Sequence, residues 1–540
     1  METSIQPPVS PHRRRAVLVA AVCAVVCLYL LSAAGHPPTT NPNELVRLEL
    51  AVAMAMWTTV DIEDPARVYG LSEDVALREG RVLADKAPGL SFAAIPVVWI
   101  SRVLIPEISG TELPQYWPLR HFATGLLVAL GSALCCFFVA AGVRGFRPRD
   151  WVPLALITAL TTPLWTYGTV FFGHAPAAVL IALAWILLLR PFNEVSPLHD
   201  RAAFLGGLSA GFAIVTEYPT VLLAAVVLAT LIARRTPRRP IALAITGLVM
   251  GLLPMLAYHQ AAFGSPWLTG YAFKADPGFQ QIHTSGLSGV SLPTIEALRG
   301  VLIGFSRGLF FYSPVLLLAP VGLWIMRRRD GFRDAAPLTA AVILYVTFAA
   351  GFVDWQAGWC AAARHLVPAI PLLLIPTMVA MRQMAQRRSS LLLLTILVTL
   401  SAWRTWLSIT ISPFFPPELP RPLSQFVLPS LRDGVAAPNL VSSVTGISAI
   451  AVWIAAIGLT IALLVWSLDR TGRGSRSWIA AIAALTIAGQ LAWFSWMSPP
   501  PDPRIEAIRA QLLARLGHTE AAAQIEVTLQ SEEPPNRGGR

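Results

Sequence analysis

Long apolar runs alternate with short polar connections along almost the whole chain. The runs lie near 16–34, 118–143, 152–168, 174–190, 202–217, 219–234, 240–261, 312–326, 335–352, 366–382, 389–410, 447–467 and 477–496. A helix rises about 1.5 Å per residue, so about 17–25 apolar residues cross a hydrocarbon core roughly 30 Å thick. The pattern therefore predicts about thirteen transmembrane helices. A further apolar piece, 92–105, is short and carries Pro96 and Arg102, which predicts a re-entrant or interfacial helix that does not cross, with a crossing helix and fourteen spans as the alternative. Within the polar stretch 35–117, "ELVRLELAVAMAMW" (44–57) predicts a short helix with Asn43 as N-cap and Glu44 in its first turn. The tail at 503–530 predicts an amphipathic surface or packing helix, with disorder once "SEEPPNRGGR" begins.

Charge sets the orientation of this array. Of 540 residues, 55% are hydrophobic and 13% charged, against about 25% charged in soluble domains. The net charge is +11, and its arginines cluster in short connections: "HRRR" before 16, 144–149, 190–201, 234–239, 327–333, 382–388 and 469–476. With those seven in the cytoplasm, 35–117, 168–173, 216–220, 262–311, 353–365, 411–446 and the tail after 497 fall outside. The expected fold class is thus an all-α polytopic membrane protein, N-terminus inside and C-terminus outside. Topology accounts for the basic balance without nucleic acid. The run after "HRRR" reads as a retained first helix rather than a signal peptide. Cys23, Cys27, Cys135 and Cys136 lie in apolar runs and Cys360 near a loop, with no spacing that invites a disulfide or a zinc site.

The candidate chemistry gathers in the outside connections. In "NELVR" (43–47), Glu44 could act as a general base at the membrane edge, or simply favour the helix start. "DIED" (61–64) and "EDVALREGRVLADKAPG" (73–89) add Asp61, Asp74 and Asp85 beside Lys86, whose ammonium at headgroup depth could meet a lipid phosphate or merely snorkel. His174 ends "WTYGTVFFGHA" and could relay a proton or bind an anion; Glu217 in "TEYPT" is a costly carboxylate at membrane level. Arg307 in "SRGLFFYSP", with Arg364 and His365 in "DWQAGWCAAARHL", could hold a phosphate by paired N–H donors. Nearby aromatics serve either sugar stacking or interface anchoring. No Walker A loop, G-x-G-x-x-G unit, H-E-x-x-H or G-x-S-x-G is present, which argues against an ATP-driven pump and against a soluble nucleotide-sugar enzyme.

The ordered series "NE..R", "DKAPGLSF", "YGTVFFGHA", "TEYPT", "SRGLFFYSPVLLL" and "RHLVPAIPLLL" resembles bacterial integral-membrane glycosyltransferases of the GT-C superfamily, close to protein O-mannosyltransferases and lipid A aminoarabinose transferases, over about residues 16–385. The resemblance implies a plasma-membrane, multi-pass enzyme with its site on the extracytoplasmic face, moving a sugar from a polyprenyl-phosphate carrier to a glycan, lipid or protein acceptor. It makes 1–15 a cytoplasmic N-terminus, 16–385 the catalytic module with loops 35–117 and 262–311, 386–500 C-terminal membrane helices, and 501–540 an outer tail. It implies Glu44 as base and Asp85 as part of the acid–Lys–Pro element; Asp61, from the "DIED" loop, is a further catalytic acid candidate. Lys86, Arg307 and Arg364 would hold the donor phosphate, and Asn43, Arg47, Asp74, His174, Glu217 and His365 are the other candidates. The family's acid pair often reads Asp-Glu where this chain has Asn43-Glu44. "GPRYL" becomes Ala363-Arg364-His365-Leu366 with the tyrosine lost, and no second acid stands in "YGTVFFGHA". No cofactor is expected and the reaction needs no metal in principle, a divalent ion staying open. An O-antigen polymerase or ligase and a lipid-linked-sugar flippase are the competing functions.

Overall fold

The structure, a computed structural model, describes residues 11–33, 41–143, 146, 148–189, 197–471, 475–497 and 502–532. The expected N-terminal segment 1–15 and the expected disordered end therefore lie largely outside the described residues. Among these residues, eight helices are long and apolar enough to cross a membrane: Arg15–Ser32, Tyr116–Gly142, Arg238–Phe263, Arg333–Gly351, Arg364–Met384, Arg388–Thr410, Ala449–Arg470 and Arg476–Met497. The chain is a multi-pass helical membrane protein. Shorter apolar helices, Trp151–Leu160, His174–Leu188 and Tyr218–Ala233, occupy three further expected spans. The expected 202–217 span is the helix Pro197–Thr216, and 312–326 is divided among Leu309–Tyr312, a 3-10 turn and Ala319–Asp330. Proline explains the interruptions: Pro163, Pro314 and Pro320 each sit at the first turn of a new element, where their missing N–H costs nothing.

The connection after α1 (Pro11–Ser32) is a small folded unit. α2 (Pro42–Trp57) begins two residues earlier than expected, and its cap is Asn41 rather than Asn43: Asn41 accepts the Asn43 N–H and Pro42 takes the first helical position. α3 (Glu63–Tyr69) follows, then an antiparallel hairpin of β1 (Val75–Arg78) and β2 (Arg81–Ala84), with Ala76 opposite Leu83 and a turn at Glu79–Gly80. Four-residue strands are too short to show an alternation, so the hairpin was not legible as such. α4 (Gly89–Leu104) is a single 16-residue helix over the apolar piece 92–105. It buries Leu90, Ala94, Val97 and Val98, while Trp99, Ile100, Val103 and Leu104 stay exposed. α5 (Tyr116–Ala123) leads through a π-helical turn at Thr124–Ala129 into the rest of its span. The hairpin and the inner face of α2 share an apolar core with Tyr258, Ala262 and Phe263.

The tail forms two helices, Pro503–Arg515 and Thr519–Glu532, rather than one. Arg509 pairs with Asp433 and with Glu506, and Arg515 lies over Trp359, so the tail packs on the 411–446 connection and on the loop before the Arg364–Met384 span. All five cysteines are free thiols.

Candidate active site

The motifs scattered over the sequence meet at one end of the bundle. Arg47, one turn inside α2, is their centre. It donates to Asn43 Oδ1 (3.0 Å), to the Ala87 carbonyl (2.9 Å) and to Glu217 Oε1 (2.9 Å). This ties the "NELVR", "DKAPG" and "TEYPT" segments together. Gly173 completes the junction: a Cβ there would fall 2.5 Å from Glu217 Oε1 and 3.2 Å from Arg47, so only glycine lets "FFGHA" approach. His174 Nδ1 then stands 3.3 Å from Glu217 Oε1, without hydrogen-bond geometry. Burial raises the Glu217 carboxyl above its ordinary range, and Arg47, Arg364 and Lys86 oppose that rise.

Lys86 forms a second group. Its ammonium lies 2.9 Å from Asp74 Oδ1 and 3.2 Å from Asp85 Oδ2, and 6.0 Å from the Tyr271 ring centre. Burial alone would raise the Asp74 carboxyl, but Lys86 and Lys274 outweigh it and hold it at about 2. Asp85 is fully buried, and that burial pushes its carboxyl up in spite of the same two lysines. Tyr271 stacks flat on His283 at 4.1 Å; burial, then Lys86 and Lys274, push this imidazole down to about 3, so it is neutral at physiological pH.

Arg364 and His365 arrive from the loop before the Arg364–Met384 span. His365 lies 5.8 Å from His174 ring to ring. Arg364 lies over Phe172 and makes no hydrogen bond or ion pair with the described residues; its Nε is buried and unpartnered. It is near enough to act electrostatically on Asp74, Lys86 and Glu217. The half-buried guanidinium has no carboxylate within ion-pair distance among the described residues, which leaves its donors to a ligand. His174 and His365, adjacent in space, also carry buried nitrogens without a hydrogen-bond partner.

Three expectations change. Glu44 is 2% exposed and held in a fork by Arg120: Nε to Oε2 at 3.0 Å, Nη2 to Oε1 and Oε2 at 2.8 Å each. The Phe171 N–H adds a further bond to Oε1 at 2.6 Å. A carboxylate so saturated is an anchor, not a group poised for a substrate proton. Arg307 likewise spends its donors on the carbonyls of Gln356 (2.7 Å), Gly358 (2.8 Å) and Phe415 (2.9 Å) and on Ser306 Oγ (2.7 Å). It pins the loop that presents Arg364, in which Ala357 and Ala362 take left-handed φ of 62° and 53°, a strain of about 1–3 kcal/mol each. Asp61 accepts the Glu63 N–H at 3.0 Å and pairs through its backbone with Leu83; it starts α3 and does not join the lysine group.

Arg120, Lys274, Tyr271 and His283 were missed. Arg120 sits inside an apolar span, where a lone arginine is itself a signal. Lys274 had no motif around it. Among the described residues no three His, Cys, Asp or Glu side chains converge as metal ligands.

No known family model and no curated protein matches the sequence. Solved structures of similar build include ArnT from Cupriavidus metallidurans bound to undecaprenyl phosphate, 14% identical over 98% of this chain and 82% of that one, TM-score 0.47. The same protein in the apo state is 16% identical over 85% and 77%, TM-score 0.45. An oligosaccharyltransferase of Archaeoglobus fulgidus is 11% identical over 87% of this chain and 57% of its own, TM-score 0.38.

Proposed function

We propose that the protein is a glycosyltransferase of the GT-C type, moving a sugar from a polyprenyl-phosphate carrier to an acceptor at the outer face of the plasma membrane. The observation that carries this reading is the unpartnered Arg364 guanidinium set in the same polar space as Lys86, at the end of a membrane-spanning bundle. Such a pair matches the phosphate of a lipid carrier, which must rest at headgroup depth while its chain stays in hydrocarbon. The sequence motifs shared with the GT-C group point the same way.

The chemistry follows from the arrangement. As the acceptor oxygen attacks the anomeric carbon, the bond to the carrier phosphate breaks and negative charge grows on that phosphate. Lys86 and Arg364 stabilise this charge. A base for the acceptor hydroxyl belongs on the opposite face of the sugar. Asp74 and Asp85 lie directly on Lys86 and so face the leaving phosphate. Glu217 makes its ion pair with Arg47 rather than with Lys86, and burial raises its proton affinity, which makes it the better-placed acceptor of the proton. Glu44 and Arg120 then position α2 and the Phe171 turn around it.

The test is transfer of labelled sugar from a polyprenyl-phosphate donor in membranes. Lys86→Ala and Arg364→Ala are expected to abolish transfer while the proteins remain folded. Full transfer by both folded variants overturns the phosphate assignment.

A further inference from the structure

Lys274 closes the short turn Gly270–Phe273 in the 262–311 connection, remote in sequence from every other charged residue of the site. Its ammonium lies 2.5 Å from Asp85 Oδ2 and 3.4 Å from Asp74 Oδ1. Lys86 reaches the same two oxygens, at 3.2 Å and 2.9 Å. Two lysines and two aspartates therefore alternate in one closed group built from two loops. The backbone fixes it: Ala275 N–H donates to the Val75 carbonyl at 2.9 Å, and Ala76 pairs with Lys274 along the hairpin edge. Gly270 lies so near the hairpin that a Cβ there would fall 2.5 Å from Asp85 Cα.

The lysines are not equivalent. The Lys274 side chain is 3% exposed, and that of Lys86 is 11% exposed. The buried Asp85 carboxylate, with Oδ1 unpartnered, takes its closest contact from Lys274. A buried charge needs a compensating partner. If Lys274 were absent, Lys86 alone would have to supply it for both acids.

We propose that Lys274 is a positioning residue for the donor: by neutralising Asp85 it leaves the Lys86 ammonium available to the carrier phosphate. This rests on the reading of Lys86 as a phosphate ligand. Without Lys274, an incoming phosphate has to compete with two carboxylates for one ammonium.

Binding of polyprenyl monophosphate to the full-length protein in nanodiscs tests this. Lys274→Met is expected to raise Kd about tenfold, which is about 1.4 kcal/mol. Lys274→Met with Asp85→Asn is expected to recover most of that loss, because the unpaired acid is gone. Asp85→Asn alone is expected to bind at least as tightly as the unaltered protein, which keeps the proposal testable if Lys274→Met does not fold. A Lys274 that merely supports the fold gives no recovery in the double variant. That result, an unchanged Kd in Lys274→Met, or weaker binding in Asp85→Asn overturns the proposal. Unchanged binding in Lys86→Ala overturns the reading of Lys86 itself, and the role of Lys274 falls with it.

Discussion

Arg120 and Glu44 form a forked ion pair in which both side chains are almost fully buried, 2% and 3% exposed. The arginine comes from the helix that enters a membrane span and the acid from the first turn of α2, so the pair locks the loop unit onto the bundle. Breaking one half leaves the other charge buried alone. Glu44→Gln or Arg120→Met is expected to cost about 3–5 kcal/mol. Replacing both, as Glu44→Gln with Arg120→Met, is expected to restore much of that loss. Thermal unfolding of the four proteins in detergent measures the coupling; singles and double that simply add would show that the pair does not act as a unit.

Arg364 behaves in the opposite way because it makes no hydrogen bond or ion pair among the described residues. Arg364→Met is expected to keep or raise Tm while raising the donor KM at least tenfold, the pattern of a site that gives up stability for binding. A large fall in Tm with unchanged KM would show that Arg364 is structural.

Glu217 sets a pH dependence. Burial raises its folded-state pKa, so acidification protonates it early and removes the carboxylate. Transfer is expected to fall on the acid side of the kcat profile, and Glu217→Gln to lose about 10²–10⁴-fold at all pH values. A Glu217→Gln enzyme with near-normal kcat and an unchanged acid limb would move the base elsewhere.

Glu49 tests the folded core apart from catalysis. It is fully buried on α2, both oxygens lack partners, and burial pushes its carboxyl up to about 8. Below about pH 4.5 the group is protonated in both states and contributes no pH dependence. As pH rises toward 8 the unfolded chain sheds this proton and the folded one retains it, so stability falls, then levels off above the folded-state value. Glu49→Gln is expected to flatten this slope and to gain a few kcal/mol at pH 8 and above. Parallel Tm–pH curves for the two proteins would exclude it.

Arg307→Met is expected to lower Tm and weaken donor binding together, since the loop it pins carries Arg364 and two strained alanines. Loss of binding at an unchanged Tm would return Arg307 to the phosphate.

Much of the site was legible residue by residue. Arg47, Asp74, Asp85, Lys86, His174, Glu217, Arg364 and His365 were all candidates, as charges or imidazoles in the polar connections or at the ends of apolar runs. Their roles were less legible. Glu44 and Arg307 looked as available for chemistry as Lys86 and Arg364 did. Only their surroundings differ: a forked arginine around one, three carbonyls around the other. Asp61 was an acid among acids until its bond to the Glu63 N–H made it a helix start.

The sequence by itself determined the apolar helices, the turn-rich connections between them and the short helix α4, because transfer into hydrocarbon and proline's missing donor act on segments only a few residues long. The tertiary structure decided which charge meets which. Coulomb energy depends on separations of a few ångströms between residues that lie far apart along the chain, as Glu44 and Arg120 or Asp85 and Lys274 do. No local pattern encodes those distances, and they separate the anchored carboxylates from Arg364, the one cation of the site with no hydrogen bond or ion pair among the described residues.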